Sequence, residues 1–193
     1  MQAILTMTEP LKYHLSVAQI EDELDQVKAA QLDPGRFDPL YKKYYARIVN
    51  YVYHRIDSKE IAYEITSQVF YNALNNLAKF KSQGTPFGAW LFQIAGNELN
   101  QWFRKNKANR TINIDVAGIA HLKQEVDEKN CDADDQKLFE ALQRLGKDDL
   151  ELIDLRFFED RPFKEIAEIT KMNESACKMR IYRILEKLKH LMK

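Results

Sequence analysis

Residues 79–107, KFKSQGTPFGAWLFQIAGNELNQWFRKNK, run from a basic loop broken by glycine and proline into a helix with two unlike faces. Thr85 followed by Pro86 predicts the helix start, because proline presets φ at the first helical position and has no N–H to lose there. Beyond it Phe87, Trp90, Leu91, Ile94, Leu99, Trp102 and Phe103 recur at helical spacing and give a broad apolar face. Away from that face Gln93, Asn97, Asn100, Gln101 and Arg104 form a polar stripe. Lys79, Lys81, Ser82 and Gln83 stand in the loop, and Arg104, Lys105, Lys107 and Arg110 gather at the exit. Cations follow a phosphate backbone, aromatics stack and amides read base edges, so the combination suits unpaired DNA bases. Taken alone, it also describes a core helix with buried tryptophans and a merely solvated stripe.

Composition narrows the classes. The 193 residues are 45% hydrophobic, enough for one ordinary domain or two small ones. Lysine plus arginine equals aspartate plus glutamate at 29 each, so a nucleic-acid or membrane partner has to be met by local charge. Cys131 and Cys177 form no CxxC pair, and His14, His54, His121 and His190 lack ligand spacing, which predicts a reducing compartment, no metal and no cofactor. Neither a carboxylate and histidine constellation nor a Gly-rich phosphate loop marks an enzyme. The apolar runs fall short of the roughly 20 residues of a membrane span, and MQAILTMTEPLKYHL lacks the pattern of a secretory leader. The expected location is therefore the cytoplasm.

Helical periodicity dominates the remainder. In residues 37–56, Leu40, Tyr44, Tyr45, Ile48, Val52 and Ile56 share one stripe. Ser58 predicts the cap of a second helix that turns Ile61, Ile65, Val69, Ala73, Leu74 and Leu77 inward. After Arg110 the period dissolves into a short β-like fragment and an acidic run, which reads as a linker. It resumes near Gln136 with Leu138, Leu142 and Leu145, pauses at Gly146, and returns with Leu150, Ile153 and Leu155. The predicted fold class is all-α, with two small helical domains at 34–108 and 136–193 joined by a linker at 109–135. Residues 1–33 form an N-terminal extension, in which IEDELDQVKAAQ is a short helix or a fraying end.

Residues 162–193 have the layout of a helix-turn-helix: a short helix to Thr170, a turn, then a long helix that Asn173 can cap. Ala167 suits the close approach, and Ile166, Met172, Cys177 and Ile181 plug the corner. The second helix offers Asn173, Glu174, Ser175, Lys178, Met179, Arg180, Tyr182 and Arg183, then Lys187 and Lys189. Such a helix fits the major groove with its N-terminal side chains at base edges. A solvated Lys-rich helix pair is the competing description, and Lys171 stands where such a turn commonly has glycine. Cys177 reads as a small core residue.

Both units in this order resemble the extracytoplasmic-function sigma factors of the sigma-70 family. The resemblance spans about residues 34–108 and 136–193 and is carried by FDPLYKKYYARIVNYVYHRI, EITSQVFYNAL, PFGAWLFQIAGNELNQWFRK, LRFFEDRPFKEIAEITKM and ESACKMRIYRILEKL. It implies bacterial RNA polymerase core, promoter DNA and an anti-sigma protein as partners. By resemblance, SKEIAYEITSQVFYNAL contacts polymerase through Glu60, Glu64, Ser67, Gln68 and Asn72. The same resemblance gives the −10 element to Lys79, Lys81, Ser82, Gln83, Gln93, Asn97, Asn100, Gln101 and Arg104. There a flipped base offsets its lost stacking, a few kcal/mol, only where it fits. The helix-turn-helix would read the −35 element as duplex. The chain departs from the family in Gly96, where arginine is common, in Gln101, where an acid is common, and in the less acidic TSQ of the polymerase-facing helix. The resemblance implies an initiation factor without a catalytic group. The alternative is a helix-turn-helix regulator with an N-terminal dimerisation or ligand-binding domain, which would bind duplex unaided.

Overall fold

The computed structural model describes residues 16–56, 58–82, 86–107, 116–126 and 135–192, and among these it contains helices and no strand. The first unit comprises α1 (Val17–Leu32), α2 (Asp38–Tyr53), α3 (Lys59–Asn76) and α4 (Phe87–Asn106), with 3₁₀ turns at Pro34–Phe37 and Leu77–Lys79. The second comprises α5 (Val116–Val126), α6 (Asp135–Gln143), α7 (Lys147–Ile153), a π-helical turn (Asp154–Phe158), α8 (Phe163–Thr170) and α9 (Glu174–Leu191).

Local chemistry sets the helix ends. Ser16 and Gln19 close a reciprocal capping box on α1, so IEDELDQVKAAQ belongs to a regular helix that packs on α2 and α4. Ser58 caps α3 by accepting from the Ile61 N–H at 3.3 Å. Pro86 takes the cap position of α4 rather than its first turn, so the helix starts one residue later than predicted, while Thr85 lies outside the described residues.

In the first unit α2, α3 and α4 pack on one another around Leu40, Tyr44, Ile48, Val52, Val69, Phe87, Leu91 and Phe92. The α3 stripe is rotated from the predicted one: Ala62, Thr66, Phe70 and Ala73 are buried and Leu74 is exposed. The cause is that α3 is covered by α2 on one side and α4 on the other, which moves its contact line toward Ala62 and Phe70. Trp90 and Trp102 are half-buried, packed against the core with one edge outward.

The second unit closes over Leu138, Leu142, Leu152, Ile166, Cys177, Ile181 and Leu188. Cys177 is buried, and desolvation lifts its thiol above the usual range, as a core residue requires. Lys171 adopts the left-handed conformation (φ 57°) that a glycine would take more cheaply. Its N–H reaches the Glu168 carbonyl and the Met172 N–H reaches Ala167, which closes a Schellman turn. Part of the stretch expected as linker is the helix α5, which docks on the π-helical turn and α9 and buries Leu122 and Val126. The β-like fragment at 111–115 lies outside the described residues.

The two units are packed against each other, chiefly through α4 and α8. Between them lies a buried ionic cluster: Arg55 of the first unit pairs with Asp154 of the second at 2.5 Å, and its guanidinium lies 3.4 Å from the centre of the Tyr51 ring. The Tyr51 hydroxyl donates to Glu151, and Arg161 stacks on Phe92 while donating to Glu165.

Candidate nucleic-acid interface

Three surfaces carry the residues singled out in the sequence. The first surrounds the start of α4. Lys79, Lys81, Phe80, Trp90, Ala89, Gln93 and Glu168 line an open cleft of about 370 Å³. Phe80 and Trp90 face each other with ring centroids 5.0 Å apart, and Lys79, Lys81 and Ser82 are exposed beside them. This juxtaposes cations, an aromatic wall and an amide at one end of a helix, the elements that hold an unpaired base. Gln83 lies outside the described residues.

Farther along α4, Gln93, Asn97 and Asn100 share one stripe and line a second cleft, of about 350 Å³, whose opposite wall is Asp148, Glu151, Thr170, Lys171, Met172 and Arg180. Their outer face is therefore turned toward the second unit across a solvent-filled cleft. The Gln93 amide donates to the Glu168 carbonyl at 2.9 Å, while Asn97 and Asn100 are exposed. Arg104 and Gln101 are exposed as well, but neither lines that cleft. A Cβ at Gly96 would stand 3.5 Å from the Tyr51 hydroxyl and 3.6 Å from the Glu151 carboxylate, ordinary contact distances that place this position beside α7.

The second surface is the outer side of α9. Asn173 caps the helix by accepting from the Ser175 N–H at 2.9 Å. Glu174, Ser175, Lys178, Met179, Tyr182 and Arg183 are exposed on it, with Met179 and Tyr182 among the most exposed large apolar side chains. Arg180 differs: it is half-buried and its guanidinium donates to Asp149 at 2.8 Å, with Asp148 at 3.7 Å. Its charge braces α9 against α7, so it is turned away from the face that Lys178 and Arg183 present.

The third surface is the outer side of α3. Glu60, Glu64, Ser67 and Gln68 are exposed, and half-buried Asn72 accepts from Gln68 and donates to Glu98 of α4. The Glu60 carboxyl is held below its ordinary range by its own backbone N–H and by the Ser58 hydroxyl. Sequence reasoning missed Tyr63 and Tyr71, which stand 48% and 62% exposed on the same helix. Their signal was present: both fall outside the apolar stripe, where a tyrosine has no core to enter.

Sequence reasoning also missed Glu23. It is fully buried and its carboxylate accepts from the Tyr44 hydroxyl at 2.5 Å, the Lys43 ammonium at 2.7 Å and the Phe87 N–H at 2.7 Å. Burial first, and the Glu23 charge second, push the Tyr44 hydroxyl pKa well above its usual value. No motif could have found this residue, because its partners lie far along the chain. Among the described residues no cluster of histidine, cysteine, aspartate and glutamate is arranged to hold a metal, and no helix is long and apolar enough to cross a membrane.

Comparison with known proteins agrees with this layout. The family model for sigma-70 region 2 matches residues 40–109, and that for sigma-70 region 4 matches residues 135–188. Similar curated proteins include the ECF RNA polymerase sigma factor BldN of Streptomyces coelicolor, 27% identical over 91% of this chain and 66% of its own length. The RNA polymerase sigma factor SigV of Bacillus subtilis is 30% identical over 68% of this chain and 75% of its own. Among solved structures, the sigma factor RpoE in complex with the anti-sigma factor NepR from Bartonella quintana shares the fold, with a TM-score of 0.58, 19% identity, and coverage of 80% of this chain and 95% of that one. The regulator alternative falls with these matches, since both matched regions and the curated relatives are sigma factors. The chain belongs to the sigma-70 family, in its extracytoplasmic-function group.

Proposed function

We propose that this chain, as a sigma factor that brings RNA polymerase core to promoters and helps open them, divides the work among the three surfaces described above. The outer side of α3, with Glu60, Glu64, Ser67, Gln68 and Asn72, docks on polymerase, and Tyr63 and Tyr71 add apolar contact there. The cleft at the start of α4 captures a base of the −10 element, with Lys79, Lys81 and Ser82 on the backbone, Trp90 as the stacking wall and Gln93 at the base edge. Asn97, Asn100, Gln101 and Arg104 continue that track. The exposed residues of α9 read the −35 element in the major groove, with Arg180 acting through α7 rather than on DNA. The chain works by binding alone, in the cytoplasm with polymerase, and an anti-sigma protein is its expected counterpart.

The observation that carries this is the cleft in which Lys79, Lys81, Phe80, Trp90 and Gln93 converge. Because α8 contributes Glu168 to it and α4 faces the second unit, the two units have to part before a strand runs along α4. Run-off transcription with bacterial core polymerase on a library of genomic fragments tests the assignment. New starts that share two upstream elements are expected. In a second step Asn97→Ala is expected to spare polymerase binding and impair opening. Loss of polymerase binding in that variant would show the face to be misassigned.

A further inference from the structure

Helix α4 begins without a side-chain cap of its own: Pro86 occupies the cap position and the first turn holds no acidic residue. A helix N-terminus leaves N–H groups unsatisfied and a partial positive charge uncompensated. Here the compensation comes from α1. The Glu23 carboxylate accepts from the Phe87 N–H at 2.7 Å and is itself fixed by Tyr44 and Lys43. Two turns further along α1, half-buried Gln31 donates to the carbonyls of Leu77 at 2.9 Å and Phe80 at 3.0 Å. One rigid helix thus grips the chain immediately before and immediately after the loop that separates Phe80 from Phe87. Both grips use polar groups on backbone atoms, which set position, whereas apolar packing alone tolerates sliding.

We infer that α1 is a splint for the strand-reading cleft, with Glu23 and Gln31 as positioning residues that set Lys81, Phe80, Trp90 and Gln93 in register for a flipped base. This rests on the proposed −10 role of that cleft. Helix α1 precedes the region matched by the family models, which begins at residue 40, so the matched regions assign it nothing.

The test uses the full chain assembled with core polymerase, on a promoter obtained from the run-off experiment. Three quantities are measured for Gln31→Ala, Glu23→Ala and Glu23→Gln: affinity for core polymerase, affinity of the holoenzyme for the −35 duplex, and permanganate reactivity of unpaired thymines at the −10 element. Gln31→Ala and Glu23→Ala are expected to keep the first two and to lower the opening equilibrium about tenfold or more, because the first removes two hydrogen bonds to backbone carbonyls and the second three to a carboxylate. Glu23→Gln is expected to restore most of the opening, because its amide oxygen can still accept from the Phe87 N–H and its NH₂ can donate to the Tyr44 oxygen, while the partly exposed Lys43 ammonium, left without its acceptor, turns to solvent. Should Glu23→Ala fail to fold, Gln31→Ala decides. Wild-type opening by Gln31→Ala, or a parallel fall in all three quantities, overturns the splint. Lys81→Ala and Gln93→Ala serve as controls on the cleft itself. If they lose opening while the α1 variants do not, only the splint is wrong; if they open normally, the −10 assignment beneath it is wrong as well.

Discussion

Replacing Asp154 by asparagine keeps the shape of the side chain and removes the counter-charge of Arg55. The two side chains are 3% and 10% exposed, and their nearest nitrogen and oxygen are 2.5 Å apart. Arginine does not shed its proton in proteins, so the variant leaves a buried guanidinium on the Tyr51 ring without its paired carboxylate. Removing one partner of such a pair costs about 3–5 kcal/mol, because the surviving charge stays desolvated. At about 1.4 kcal/mol per factor of ten, that is a hundredfold to a few thousandfold. Arg55 follows α2 and Asp154 opens the π-helical turn, so the cost falls on the docking of the two units more than on either core. Small-angle scattering should show the radius of gyration rising above the roughly 16 Å of a compact chain of this length. Thermal melting should split into two transitions. The double variant Arg55→Met with Asp154→Leu should recover most of the compactness, because well-packed apolar pairs replace buried ion pairs at little cost. An asparagine variant with the wild-type radius and a stability within about 0.5 kcal/mol would refute the assignment of this pair as an inter-unit tie.

Glu159 gives a pH dependence. Desolvation raises its carboxyl from 4.5 to about 7 against the pull of Arg161, Arg47 and Arg55, with Asp154 adding to the rise. The native state therefore holds a proton that the unfolded chain has released between pH 4.5 and 7. Stability falls across that window, by about 3 kcal/mol in all at 1.36 kcal/mol per unit. Glu159→Gln should remove this slope, melting higher than wild type at pH 8 and matching it near pH 4.5. Gly88→Ala should destabilise by about 1–3 kcal/mol, the range for overpacking, because the new methyl would stand 2.5 Å from the buried Tyr44 ring. Chemical denaturation measures it, and an unchanged midpoint would mean that the ring has room to move. Lys171→Gly should stabilise by about 1 kcal/mol, since glycine adopts φ 57° without the steric cost of a Cβ.

Much was legible from residue order alone, because helical periodicity, caps and turn chemistry are local. Ser58 and Asn173 cap the helices predicted for them, and the corner formed by Ala167, Ile166, Cys177 and Ile181 closes as spacing required. The resemblance to sigma factors, carried by five short segments, agrees with the family match. Less legible was whatever depends on a distant neighbour. The stripe on α3 was misjudged at Leu74 because two partners, not one, decide which arc is covered. Arg180 could be placed on α9 but not aimed, since its ion pair is with α7, 31 residues earlier. Residues 116–126 look irregular in sequence and are helical because the second unit offers them a groove that buries Leu122 and Val126.

Sequence alone thus determined most of the helices, the caps at Ser58 and Asn173, the helix-turn-helix and the basic, aromatic and amide content of the −10 candidate, all properties set within a few turns of chain. Only the tertiary structure decided where charge is buried and which faces meet. Glu23 caps a helix 64 residues away, Arg55 reaches Asp154 across the two units, and the stripe of Gln93 and Asn97 faces α8 and α7. Such contacts depend on the packing of whole helices, whose geometry is set by the summed burial of both faces and leaves no periodic mark at the residues that end up touching.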